Sequence, residues 1–324
     1  MPATVHQLHP GDSSMTDEVT SIRDRAVLAV LNIKMPGNAK KDNGATKEVN
    51  DAHRVSAKMG AYRKKLYHAD AFAALGTAVS AARTYFIGAT LPWANNGARM
   101  LPTANILAYG EKMRQLEREF EDAADEFAQG HAMHVATAQR ELGSLFDPAD
   151  YPSASEIRQS FKFDTQFYKV PTGSDFRADV SDEAAAAIAE KIDRDLKEAA
   201  ADATKELYGR MDKVIRHMAT SLRDYVPAGP AETVLNDRGN PTKKVTQKAE
   251  NVFRDSLVNN VRELVDVLPV LNIAGDDQLT AMVNRLRDEL CVFDAETLRT
   301  ADTLRDEVAQ KAEKILESIS EFLA

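Results

Sequence analysis

The sequence predicts a mainly α protein, an elongated bundle with long, coiled-coil-like helices and one small β-hairpin. Three observations predict it. The 324 residues are rich in Ala, Leu, Glu, Asp, Lys and Arg, while aromatic residues make up only 6% and glycine numbers 15, a composition of long helices rather than of sandwiches or barrels. Apolar residues recur at spacings of three and four through most of the chain. Period-two alternation with aromatic content stands out in one stretch, residues 161–180.

Residues 1–16 carry Pro2, Pro10 and Gly11 without periodicity and are expected to form a disordered tail. The N-terminal helical region, 17–146, opens with Val19, Ile22, Ala26, Val27, Val30 and Leu31, a helical stripe expected to stop near Pro36-Gly37. A basic, glycine-containing loop follows, and helical pattern resumes near Val49. A clearer helix runs from about Ala69 to Ala89 on Phe72, Leu75, Val79, Ala82 and Phe86.

The stretch TLPWANNGARMLP, 90–102, holds the only tryptophan. Its prolines and Asn-Gly turn read as a structural corner, with Trp93, Leu91 and Leu101 plugging the end of a helix pair. The competing reading is a binding loop anchored by Trp93 and Arg99. From 103 to 129, Ile106, Tyr109, Met113, Leu116, Phe120, Ala123 and Phe127 repeat at about 3.5 residues, the spacing of a coiled-coil seam. Gly130 interrupts it, and a second register continues to Phe146.

In 147–180, Asp147-Pro148 predicts a capped turn and Ser153 with Glu156 a capping box. The hairpin follows, with Pro171-Thr-Gly173-Ser as its turn. Ser181 caps the longest helix, 181–225, which contains no proline; its stripe repeats at about 3.7 residues, so it should run straight. Residues 226–244 read as a Pro/Gly-rich linker. The C-terminal region, 245–324, divides into helices 245–268, 276–290 and 294–323, with a break at Pro269. The last helix repeats Leu304, Val308, Ile315, Ile319 and Phe322 close to the heptad spacing. Together with the 103–129 seam, these residues are the candidate interface of a homo-oligomer.

Composition narrows the chemistry. The single cysteine, Cys291, excludes an internal disulfide framework and multi-cysteine metal sites, and its apolar neighbours make it a structural thiol. The chain shows no leader pattern and no apolar run approaching about 18 residues, so a soluble, cytoplasmic protein without a membrane partner is expected. P-loop, dinucleotide, nucleophile-elbow and zincin motifs are all missing from the sequence, so neither an enzyme nor a cofactor is expected. His131 and His134 share a helical face, but no ExxH element accompanies them. They read as helix-surface histidines, and no metal site is assigned.

Charge supplies the sharpest signal. The chain is net −9, yet between Lys34 and Lys65 nine cations (Lys34, Lys40, Lys41, Lys47, Arg54, Lys58, Arg63, Lys64 and Lys65) face only Asp42, Glu48 and Asp51. Interleaved with His53, Tyr62 and Tyr67, these cations could contact phosphates while the rings stack on bases. Lys40, Lys41, Lys64 and Lys65 are the expected main phosphate contacts, with Arg238, Lys243, Lys244 and Lys248 next in line. The competing reading pairs the segment with the acidic body or with an acidic partner.

At TLPWANNGARMLP, FDPADYPSASEIRQSF, SDFRADV and VFRDSLVNNVRELVDVLPVLNI the chain resembles a group of helical proteins encoded by tailed bacteriophages and prophages. The resemblance spans most of residues 20–290. It implies a phage setting in a bacterial host; joined to the heptads and the missing catalytic motifs, it gives the expectation of a phage-type accessory or assembly protein acting without catalysis through helix-mediated self-association and partner binding. Because such proteins are often encoded near a MoxR-type AAA+ ATPase, it also implies an ATPase partner. None of the four blocks is a catalytic signature, so no site residue follows from the resemblance. Nucleic-acid binding in phage replication or recombination, through 34–65, is the alternative.

Overall fold

The computed structural model describes residues 22–93, 97–172, 181–235, 241–245 and 247–323. The expected tail, the second strand of the expected hairpin and Arg238 lie outside them. Within them the protein is mainly α, but it is organised around a four-stranded antiparallel sheet.

Strand β1 (Ala26–Lys34, AVLAVLNIK) occupies part of the expected first helix. Val27, Val30 and Leu31 satisfy a helical spacing as readily as a strand one, and periodicity cannot arbitrate a short apolar run. Burial on both faces decides it. Ala29, with Val27, Leu31 and Ile33, packs into one core, while Ala26 and Leu28 pack into the other. β1 pairs with β5 (Arg99–Pro102), Leu28 opposite Met100, and with β6 (Lys162–Tyr168), Val30 opposite Gln166. β4 (Leu91–Pro92) completes the order β4-β5-β1-β6. Among the described residues β6 is the last strand of this order, paired with β1 far back in the chain; the rest of the expected 161–180 hairpin lies outside the described residues.

On one face of the sheet lie helices α2 (Ala73–Ala89), α3 (Ile106–Gln129) and α5 (Ala154–Gln159). Helix α4 (His131–Leu142) continues from α3 past Gly130. On the other face lies α6 (Asp182–Asp224), 43 residues capped by Ser181 and about 64 Å long. Its core-facing stripe packs with α7 (Ser256–Leu271), α8 (Asp277–Leu290), α9 (Ala295–Thr300) and α10 (Asp302–Leu323). The expected last helix is broken at Ala301, whose backbone is extended. Helix α7 carries Pro269 in its last turn instead of ending there. Part of the expected linker is a two-stranded ribbon, β7 (Ala231–Leu235) against β8 (Pro241–Val245), which contains Lys243 and Lys244.

Neither heptad stripe is an open seam. Tyr109, Met113, Leu116, Phe120 and Phe127 are buried in the core shared with α2, α5 and β6, and Ile106 packs at its edge. Val308, Ile315 and Ile319 are buried against the α6 side, with Leu304 beside them, and the Phe322 ring stacks on Tyr208 at 4.3 Å between centroids. A spacing near 3.5 is what a long helix shows whenever one face meets a globular core. Both stripes are satisfied within the chain, which removes the coiled-coil argument for self-association.

Residues 90–102 form the β4–β5 hairpin, with Gly97 at φ 85°. Leu91 and Leu101 are fully buried, whereas Trp93 is half-buried against the α6 core rather than enclosed. Arg99 is turned inward too: it pairs with Glu206 at 2.9 Å and donates from Nε to the Thr90 hydroxyl at 2.8 Å. Arg210 donates to the Ile87, Gly88 and Thr90 carbonyls at 2.7–2.8 Å. These last carbonyls of α2 lack intrahelical donors, so a guanidinium of α6 closes α2 and fastens the two sides of the sheet.

Candidate nucleic-acid interface

The basic segment folds as a compact excursion from the body. β2 (Ala39–Lys41) and β3 (Arg63–Lys65) pair antiparallel, and α1 (Asn43–His53) lies between them in sequence. Asp42 starts α1 by accepting from the Ala45 amide at 2.9 Å, and its own N–H donates to the Tyr62 carbonyl at 3.0 Å. The Tyr62 amide in turn donates to the Thr46 hydroxyl at 3.0 Å. Asn50, buried, donates to the Gly60 carbonyl at 3.3 Å. A Cβ at residue 60 would stand 2.0 Å from Asn50 Oδ1, so any other residue there would displace the Asn50 amide. At the neck, the Asn38 amide bonds both the N–H and the carbonyl of Tyr67, at 2.7 and 3.1 Å.

The pleat sorts the cations. Lys40 stands opposite Lys64, Lys41 opposite Arg63, and Ala39 opposite Lys65, and directly opposite residues share a face. On the inner face both lysines converge on Asp150. Lys40 pairs with one carboxylate oxygen, and Lys64 reaches the other at 2.7 Å, Asp42 at 3.3 Å and the Leu145 carbonyl at 2.6 Å. The hydrogen bond from Lys40, then that from Lys64, holds the Asp150 carboxyl below its usual range. The bond to Asp150 holds the Lys64 ammonium above its own, despite burial. Asp42 is lowered chiefly by the Ala45 amide.

Lys64 is thus a buried anchor and not a phosphate contact, and Lys40 is tied to the same carboxylate. The outer face is different. Lys41, Arg63 and Lys65 are exposed and no ion pair involves them among the described residues; Arg63 donates only to the Ala39 carbonyl, at 3.2 Å. Like charges directly opposite destabilise a strand pair, and neither Lys41 nor Arg63 has an ion pair to offset it among the described residues. Lys34, Lys47, Arg54 and Lys58 are exposed around the excursion, as is His53, while Tyr62 is 39% and Met59 83% exposed.

Arg54 ends α1 in the left-handed region, at φ 53° and ψ 37°, where side chains other than glycine and asparagine are costly. Tyr67 is no stacking platform: it is buried among Phe72, Phe127 and Tyr151, with its hydroxyl 3.1 Å from His131 Nε2. His131 is likewise buried, and burial first, then His134, lowers its pKa. No group of three or more His, Cys, Asp or Glu side chains could hold a metal ion among the described residues. Burial pushes the Cys291 thiol upward, opposite to an activated nucleophile. No helix among the described residues is long and apolar enough to cross a membrane. No family model, no curated protein and no solved structure matches this chain.

Proposed function

We propose that the chain is a non-catalytic binding protein that docks on the phosphate backbone of nucleic acid through the outer face of the β2–β3 ribbon. The supporting observation is the Lys41–Arg63 cross-strand pair, flanked by Lys65, with no ion pair to any of the three among the described residues, on a chain that is net −9. Such a placement costs folding stability and becomes favourable when a polyanion supplies the missing charge. Lys34, Lys47, Arg54 and Lys58 widen the positive field around the ribbon. In the phage setting that the sequence resemblance implies, this is an accessory protein of nucleic-acid handling.

The test is binding to duplex and single-stranded DNA and to RNA over a salt series. The triple variant Lys41→Glu, Arg63→Glu, Lys65→Glu should abolish binding with unchanged helicity. Neutralising any one of the three should flatten the slope of log affinity against log salt by about 0.7–0.9. A wild-type protein that binds none of these polymers at low salt overturns the reading.

A further inference from the structure

Beside the basic ribbon, two hollows of about 280 and 260 Å³ lie between residues 65–71 and helix α4. His68 and Glu141 line both, so the hollows form one trough. Its walls are largely apolar: Leu66, Ala69 and Leu142 line the first hollow, Ala71 and Met133 the second. Successive turns of α4 bring His134, Ala138 and Glu141 to it.

Three features set the chemistry of an occupant. Lys65, one of the ribbon cations without an ion pair among the described residues, also lines the first hollow, so the trough begins where the proposed phosphate contacts end. The His68 side chain is half-exposed, with Nδ1 3.3 Å from Asp70 Oδ2, and an accessible imidazole is a ring on which an unpaired base can stack. His134 is not free for that, since its ring stacks on Phe127 at 5.1 Å between centroids. Glu141 is exposed, and no hydrogen bond or ion pair engages it among the described residues. A carboxylate only accepts hydrogen bonds. Together with Asp70, it makes the trough unfavourable for a phosphate and suited to a neutral group that carries amino hydrogens.

We propose that the trough takes an unpaired base of a single-stranded nucleic acid whose phosphates ride the outer face of the ribbon. The base stacks on His68 and donates from its exocyclic amino group to Glu141. This rests on the phosphate-docking reading and adds to it the strand state and a base preference. A base paired within a duplex reaches a surface trough only by being flipped out of the stack, so strand state discriminates.

Fluorescence anisotropy with oligo(dC), oligo(dT) and a duplex of the same length, at one salt concentration, tests it. Oligo(dC) should bind about fivefold more tightly, or better, than the duplex or oligo(dT), whose base lacks an exocyclic amino group. His68→Ala should weaken oligo(dC) binding by about fivefold or more, as loss of one base stack does, and His68→Phe should restore it. Glu141→Leu, at an exposed position, should remove the preference for oligo(dC) over oligo(dT). A wild type that binds the duplex as tightly as oligo(dC) overturns the trough and leaves the ribbon reading standing, whereas one that binds none of the three overturns both. A folded His68→Ala that binds oligo(dC) as the wild type does, or a Glu141→Leu that keeps the base preference, also overturns the proposal.

Discussion

Lys64 Nζ lies 2.7 Å from an Asp150 carboxylate oxygen, and both side chains are almost out of solvent, at 4% and 2% exposure. The pair joins the ribbon to the turn after α4. Two desolvated charges contribute little net stability as a pair, but removing one strands the other.

Asp150→Ala should therefore destabilise the protein by about 3–5 kcal/mol, read as a lower urea midpoint, because Lys64 keeps its burial and loses its main counterion while Lys40 is released. A change below about 0.5 kcal/mol would mean that Lys64 escapes to water without cost.

The same pair predicts a pH response. The folded-state pKa of Asp150 lies below the ordinary 3.8, so the unfolded chain binds the extra proton and stability rises with pH across that interval. The contribution is complete above the ordinary value and is lost as pH falls through the depressed one. The stability gap between wild type and Asp150→Asn should shrink as the pH is taken below about 3.8. A gap that holds constant to pH 2 would contradict the assignment.

Arg54 offers a variant in which stability and binding move apart. Glycine tolerates φ 53° at residue 54, so Arg54→Gly should stabilise the fold by about 1 kcal/mol. It also removes a cation from the proposed interface and should weaken nucleic-acid binding. Loss of stability in this variant would show that the arginine side chain holds the α1 terminus.

Trp93 packs on the α6 core while remaining half-exposed. Truncation should cost less than that of an enclosed aromatic ring: Trp93→Ala is expected to lower stability by about 2 kcal/mol without altering nucleic-acid affinity. A normal melting temperature with lost binding would make residues 90–102 an interface instead of a corner.

What the sequence made legible follows from how local each cause is. Helix α6 was readable because Ser181 caps it and no proline interrupts it, and the Ser153–Glu156 box forms as its spacing predicts. The basic segment was visible as composition. Its division into anchor and contact was not, because Lys64 differs from Lys41 only by the pleat and by Asp150, which arrives from elsewhere in the chain. β1 was misread for the same reason: its two buried faces exist only once α3 and α6 are in place. The heptad stripes were seen correctly as apolar faces, but spacing alone carries no information about whether the covering surface is another copy or the same chain.

The pairing of β1 also bears on synthesis. The strand AVLAVLNIK leaves the ribosome early, but its β6 partners, Thr165 opposite Leu31 and Tyr168 opposite Leu28, come far later. At roughly 5–20 residues per second, the strand waits on the order of ten seconds for β6, with the backbone edge that β6 will pair and the apolar face that α6 will cover still open. A nascent segment of this kind is prone to pair with another chain, so the period before residue 168 is translated is when a chaperone holding the N-terminal third would most improve the yield of folded protein.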